Sequence, residues 1–436
     1  MKPRLPQKLL RQRGAATLVV VMVLFLVMAL LAAYANRSML FEQRMAASYS
    51  RASLAQEAAE GGVEWSLAQL NGTAIDAACK PIATGGQRFA DRYLQINASD
   101  RSITPKSADV NGIIDCAHDS ANAGWACRCP TADTAHSRST AITDAQPSPS
   151  FNIKMSAGSR GGTLMLKVLG CTDSVPDNCA GTNATLAISQ SMFAKTDVSA
   201  LIGLVAAVRS PPAAPLVVRG DINSTGAGLG LHNTDPRSAG MLAMLGGSWT
   251  PGMGRVDARL ESNPGTPSSQ VLMQTDATLA AATAQDVFKM FMGISVGSYP
   301  QHPSLRKVTC AADCSVALED AYKAGKRILW VEGPMAINSS KVLGSVDDPM
   351  LVIATGAVAL AGSFQLNGML VSLGDLGWVN AAGTAPRING IVLVGGSMQT
   401  TGAVDIVYQQ SVADQLRNRM GSYVRVPGGW IDMEVK

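Results

Sequence analysis

Residues 15–35 read AATLVVVMVLFLVMALLAAYA, with no side chain ionised near neutral pH. As a helix rising about 1.5 Å per residue, this run spans roughly 31 Å, the hydrocarbon thickness of a bilayer. The next stretch, 36–70, lacks proline and is rich in Ala, Glu, Gln, Arg, Met and Leu, all strong helix formers. Met45, Tyr49, Ala52, Ala55, Ala59, Val63 and Leu67 recur mostly at steps of three and four, which draws one apolar stripe along a helix. Gly61-Gly62 weakens the run and Asn71-Gly72 ends it. The pattern predicts a continuous helix over 15–70, roughly 84 Å long. Such a rod, half in lipid and half outside, has no way to satisfy itself inside one globular domain, which suggests packing against copies of its own kind.

Beyond residue 70 the periodicity changes to that of short strands. Residues 163–169 (TLMLKVL) and 185–192 (TLAISQSM) flank a loop bounded by Cys171 and Cys179, which predicts a hairpin with a stapled tip. Prolines at 211, 212 and 215 mark a stiff boundary, after which 216–223 resumes strand character and a Gly-, Ser- and Thr-rich insertion follows. Within it 284–292 reads as an amphipathic helix with Val287, Met290 and Phe291 on one face. From 327 to 409, ILWV, MLVI, MLVS and IVLV alternate with glycine turns, and Asn367-Gly368 recurs as Asn389-Gly390. A period of about 20–25 residues matches one coil of a β-solenoid; an antiparallel sheet with Gly-rich turns is the alternative. A helix over 412–420 and a strand ending near Trp430 close the chain.

The predicted fold class is α+β: a long N-terminal transmembrane helix, then a β-rich, disulfide-containing exported body with a solenoid-like C-terminal part. The predicted divisions are a leader, 1–14; the helix, 15–70, with 15–35 in the membrane; a disulfide-containing α/β domain, 71–209; and a β-rich, solenoid-like domain, 210–436.

Composition narrows the function classes. The chain is 47% apolar and 16% charged, which excludes a disordered protein, and one bilayer-length run excludes a multi-span transporter. Lys2, Arg4, Lys8, Arg11 and Arg13 precede the apolar run; taking these five from the net +4 leaves −1 for the rest. The body therefore lacks the electrostatic footprint of a nucleic-acid binder. The same cluster keeps the N-terminus cytoplasmic and sends the remainder across the membrane. A cleaved signal peptide is the competing reading, with Ala33-Tyr34-Ala35 as its site, but the apolar run exceeds the usual 7–15 residues.

The segment Arg13-Gly14-Ala15-Ala16-Thr17-Leu18 resembles the processing site of a type IV prepilin. The residues Glu42-Gln43-Arg44-Met45-Ala46 and Leu54-Ala55-Gln56-Glu57-Ala58-Ala59-Glu60 resemble the corresponding stretches of PilX-type minor pilins. The resemblance implies cleavage between Gly14 and Ala15 by a prepilin peptidase, and N-methylation of Ala15. It implies residence in the inner membrane before assembly, and major and minor pilins as partners through the long helix. Major pilins of that kind carry a glutamate at the fifth mature position, where this chain has Val19. The difference points to a minor subunit, or to the tip pseudopilin of type II secretion.

Eight cysteines, at 79, 116, 127, 129, 171, 179, 310 and 314, all follow the apolar run, and an even number in an exported chain reads as disulfides. Cys171–Cys179 and Cys310–Cys314 are the expected local bridges. Cys79, Cys116, Cys127 and Cys129 allow three pairings, with Cys127–Cys129 disfavoured by its one-residue spacer. A zinc site from Cys116, His118, Cys127 and Cys129 is the alternative use of that cluster, with a spacing uncommon for structural zinc. The four histidines are scattered, and no HExxH, GxxxxGK[ST] or DxDxDG motif occurs, so no enzyme, cofactor or metal is expected. Asp347-Asp348 reads as a solvated turn, with calcium as the sharper option. The expected function is a non-enzymatic minor pilin in type IV pilus assembly, with adhesion or twitching motility as its output. The other classes are the secretion pseudopilin and a membrane-tethered, polysaccharide-binding β-solenoid.

Overall fold

A computed structural model describes residues 15–76, 79–106, 113–119, 124–129, 148–175, 178–179, 193–225, 228–251, 259–310, 312–380 and 385–432. The leader with Gly14, the segment 185–192 and His136 lie outside these residues.

Helix α1 (Ala15–Leu70) runs unbroken for 56 residues. Its last turns lie on an antiparallel sheet of six described strands, ordered Gly421–Ile431, Lys195–Ala206, Thr163–Cys171, Ser150–Ala157, Ile113–Asp119 and Gly124–Arg128. The strands alternate as a half-buried sheet requires. Ile153, Leu164, Leu166, Val168, Val198 and Ile202 point to the face that α1 covers with Ala59 and Val63. The approach is close: a Cβ on Gly62 would lie 2.6 Å from Val168 Cγ1, and one on Gly170 2.0 Å from the Ala55 carbonyl. The glycine pair that weakens α1 as an isolated helix is thus what lets it settle onto the sheet.

Two expectations need correction. The partner of Thr163–Cys171 is Lys195–Ala206, in the register Cys171 to Lys195, further along the chain than 185–192. This strand alternates over twelve residues, a longer match to the pleat. Further, 210–436 is not one sequence block. Its last strand, Gly421–Ile431, pairs with Lys195–Ala206 and places Tyr423 in the same core as α1.

The remainder is a parallel β-solenoid, not an antiparallel sheet. Each coil makes short strands on three faces, for example Met350–Ala354, Val358–Ala361 and the start of Gln365–Ser372. The repeated dipeptide stacks in register, Asn367 on Asn389 and Gly368 on Gly390, 22 residues apart. The runs ILWV, MLVI and IVLV are apolar throughout because both sides of their face are buried. Leu329, Val352 and Val392 fill the solenoid interior, while Ile328, Leu351 and Ile391 join an outer core, as buried parallel strands require. Helix α2 (Ala284–Met292) lies between the two groups of coils, helix α3 (Ser315–Lys323) follows the first strand of the second group, Leu305–Val308, and α4 (Gln410–Asn418) lies beyond them. Val287, Phe288 and Phe291 of α2 and Val412 and Leu416 of α4 cover the outer side. Met290, expected inside, is exposed; the buried set on α2 includes Phe288 and Met292 instead.

Spatial and chain order differ along the stack. On the main face the strands follow one another from Leu305 through Ile328, Met350, Gly368 and Ile391 to Leu216, Ala243 and Leu272. The chain therefore enters mid-stack at Leu216, winds to one end, returns past α2, and winds from the other end back to its entry. At the seam Leu216 pairs with Val392, and Gly220 N donates to Gly396 O at 2.9 Å. The insertion expected after 223 thus includes further coils among its described residues.

Candidate assembly surface

The outward part of α1 is the largest uncovered apolar surface of the described residues. Leu18 through Tyr49 contributes Phe25 at 73% exposure and Tyr49 at 79%, with Val19 at 59%. Apolar patches of this extent mark membranes or partners, and covering one Leu- or Phe-sized side chain is worth about 1.5–3 kcal/mol. The predicted stripe divides within α1: Ala55, Ala59 and Val63 are buried in the body, whereas Met45 and Tyr49 are exposed. Of the expected processing pair, Ala15 opens α1.

The end of α1 is fastened to both parts of the body through Asn71. Its side-chain amide donates to Tyr423 O at 2.8 Å, and its Oδ1 accepts from Tyr423 N at 2.8 Å and Ser304 Oγ at 2.7 Å. Its carbonyl accepts from Lys326 Nζ at 2.9 Å. Arg425 pairs with Glu64 of α1. Orientation of the exposed rod is thereby set by the sheet and the solenoid together.

The cysteines form four disulfides: Cys79–Cys129, Cys116–Cys127, Cys171–Cys179 and Cys310–Cys314. Cys116 and Cys127 sit opposite each other on adjacent strands, and the thiols considered as zinc ligands are all bonded. His118 instead packs edge-on against Trp125, with centroids 5.6 Å apart. Cys310–Cys314 lies beside Asp313, which accepts from Ser315 and Ser339 and from the Asn338 amide. Against the burial that raises it, these bonds push Asp313 down to about 2. Asp347 of the Asp-Asp pair is exposed, and Asp348, partly exposed, is bonded by Arg327 at 2.8 Å and by Arg88 at 3.3 Å.

Sequence reading missed one titrating cluster. His232 lies between Asp405, 3.3 Å from its Nε2, and Glu261, 3.0 Å from its Nδ1, and Arg259 also pairs with Asp405. The Asp405 hydrogen bond raises the His232 pKa, opposed by burial and helped by Glu261. The three strands meet only through the solenoid, so no local motif announces them. Among the described residues no group of three His, Cys, Asp or Glu is placed to hold a metal.

A bilayer-length apolar helix thus runs without a break into turns that pack on the core of a disulfide-linked sheet. Residues 13–64 match the family model described as PilX N-terminal, and over this segment the chain is similar to the type IV pilus-related pilins of that family. The match covers most of α1 and none of the sheet or solenoid. No curated protein matches the chain. A solved structure with some likeness is that of the competence-associated pilin ComZ from Thermus thermophilus. It is 10% identical over 86% of this chain and 95% of that one, with a TM-score of 0.21, which carries no argument about this fold.

Proposed function

We propose that this protein is a non-enzymatic minor pilin that takes part in type IV pilus assembly. In this reading a prepilin peptidase cuts between Gly14 and Ala15, Ala15 is methylated, and α1 stays in the inner membrane until it joins the helical core of a filament. The five leader cations hold the N-terminus in the cytoplasm, so the sheet and solenoid fold in the periplasm, where disulfides persist. The body then stands outward from the filament, in position to contact another pilin, a cell or a surface in adhesion or twitching. The observation that carries the reading is the match at residues 13–64 on a helix whose apolar outer part is uncovered.

Deleting the prepilin peptidase tests it. The expected result is a chain that keeps its leader and is lost from sheared surface filaments; unchanged processing contradicts the reading. Val19, without the glutamate of major pilins, also favours a type II secretion tip pseudopilin. Presence in sheared pili, against dependence on secretion components, separates the two.

A further inference from the structure

A cavity of about 40 Å³ lies where the end of α1, the solenoid and the last strand meet, lined by Arg88, Asp91, Lys326, Arg327, Arg419 and Tyr423 among others. Its charges do not balance. Asp91 is taken by Arg88 through bonds of 2.6 and 3.1 Å, and Asp348, the other carboxylate nearby, serves Arg327 and Arg88. Lys326 is left with a neutral acceptor, the Asn71 carbonyl; Arg419, exposed at the rim, bonds Gln415 Oε1 at 3.2 Å and also faces Asp348. Tyr423 is 4% exposed, and its buried hydroxyl has no hydrogen-bond partner among the described residues. Burial, then the neighbouring Arg306 and Arg88, lowers the Lys326 pKa, so the ammonium is a desolvated cation among like charges.

We propose that this cavity is a binding site for one small inorganic anion of chloride size, held by Lys326, Arg419 and the Tyr423 hydroxyl. A water would satisfy the hydroxyl but leave the charge excess, and charge-assisted bonds are roughly twice as strong as neutral ones. A cavity needs about 10–15 Å³ to admit one water, so this one, at about 40 Å³, admits an ion of chloride size and has no room for a large organic ligand. The anion links the solenoid (Lys326) to the last strand of the sheet (Tyr423) beside Asn71. It therefore stiffens the joint that sets the direction of α1.

The test uses the full chain in detergent. Thermal midpoints are measured in sodium chloride and in sodium gluconate at equal ionic strength, with sodium phosphate as a third arm. Chloride should raise the midpoint by about 2–4 °C over gluconate and saturate, whereas any rise in phosphate, the general effect of a salt excluded from the surface, should survive Tyr423→Phe and Lys326→Met. Tyr423→Phe and Lys326→Met should each abolish the difference while the circular dichroism spectrum is kept. Equal midpoints in chloride and gluconate, or a difference that survives both substitutions, overturns the site. A rise in phosphate that both substitutions abolish overturns the size assignment. Bromide-soaked crystals give an independent reading: an anomalous peak in the cavity supports the site, and its absence at saturating bromide contradicts it.

Discussion

Asn389 Nδ2 donates to Asn367 Oδ1 at 2.8 Å, and Asn367 Nδ2 donates to Gly344 O at 3.0 Å, so amides step from coil to coil inside the solenoid. Both asparagines are buried, and Asn389→Ala removes the shorter of two bonds to Asn367 Oδ1, leaving Gln365 Nε2 at 3.3 Å, at an expected cost of about 0.5–1.5 kcal/mol. Gly390 has φ +143°, and a Cβ there would stand 1.9 Å from the Gly368 carbonyl. Gly390→Ala should therefore cost more, about 3 kcal/mol or above; denaturant titration of both variants checks the order. This Asn-Gly repeat is visible in the sequence because both copies occupy the same place in successive coils. The His232 cluster is not visible, because its carboxylates come from 29 and 173 residues away. Its effect has a definite sign. The folded-state pKa of His232 is raised, so the protonated ring's contribution is complete below the ordinary value near 6.5 and is lost as pH rises through the raised one. The thermal midpoint should fall across that window in the native protein, and His232→Gln should remove that fall.

Within α1, two substitutions on the same predicted stripe should behave oppositely. Met45→Glu sits on the exposed part and should change body stability by no more than about 0.5 kcal/mol while blocking entry into filaments. Val63→Asp puts a carboxylate into the core shared with Phe151 and Val168 and should cost more than about 4 kcal/mol. Denaturation curves and filament incorporation, measured on both, separate a surface used for assembly from one used for folding. The helix itself was readable because its signals are local: propensity, absence of proline and a terminating Asn-Gly. Which stretch of it faces the body was not, since that depends on sheet strands arriving from residues 150–206 and 421–431. Strand pairing suffered likewise, for 185–192 and 195–206 both alternate and only the long-range register chooses between them.

At the scale of the molecule, the solenoid period was legible but its winding was not. A repeat reveals that coils stack, whereas the seam between Leu216 and Val392 joins segments with no sequence relation beyond apolar strand character. The return of Gly421–Ile431 to the sheet has the same consequence, tying the chain's end to the helix that begins it. Solenoid, sheet and α1 are thus fastened at Asn71, and a rod fixed at one end leaves its apolar length to be covered by lipid or by other helices. The most direct check is the intact mass and N-terminal residue of the protein taken from sheared surface filaments. A chain beginning at methylated Ala15 with all of α1 retained is the predicted result. A mature protein beginning at Asn36, soluble and absent from the filaments, would contradict it.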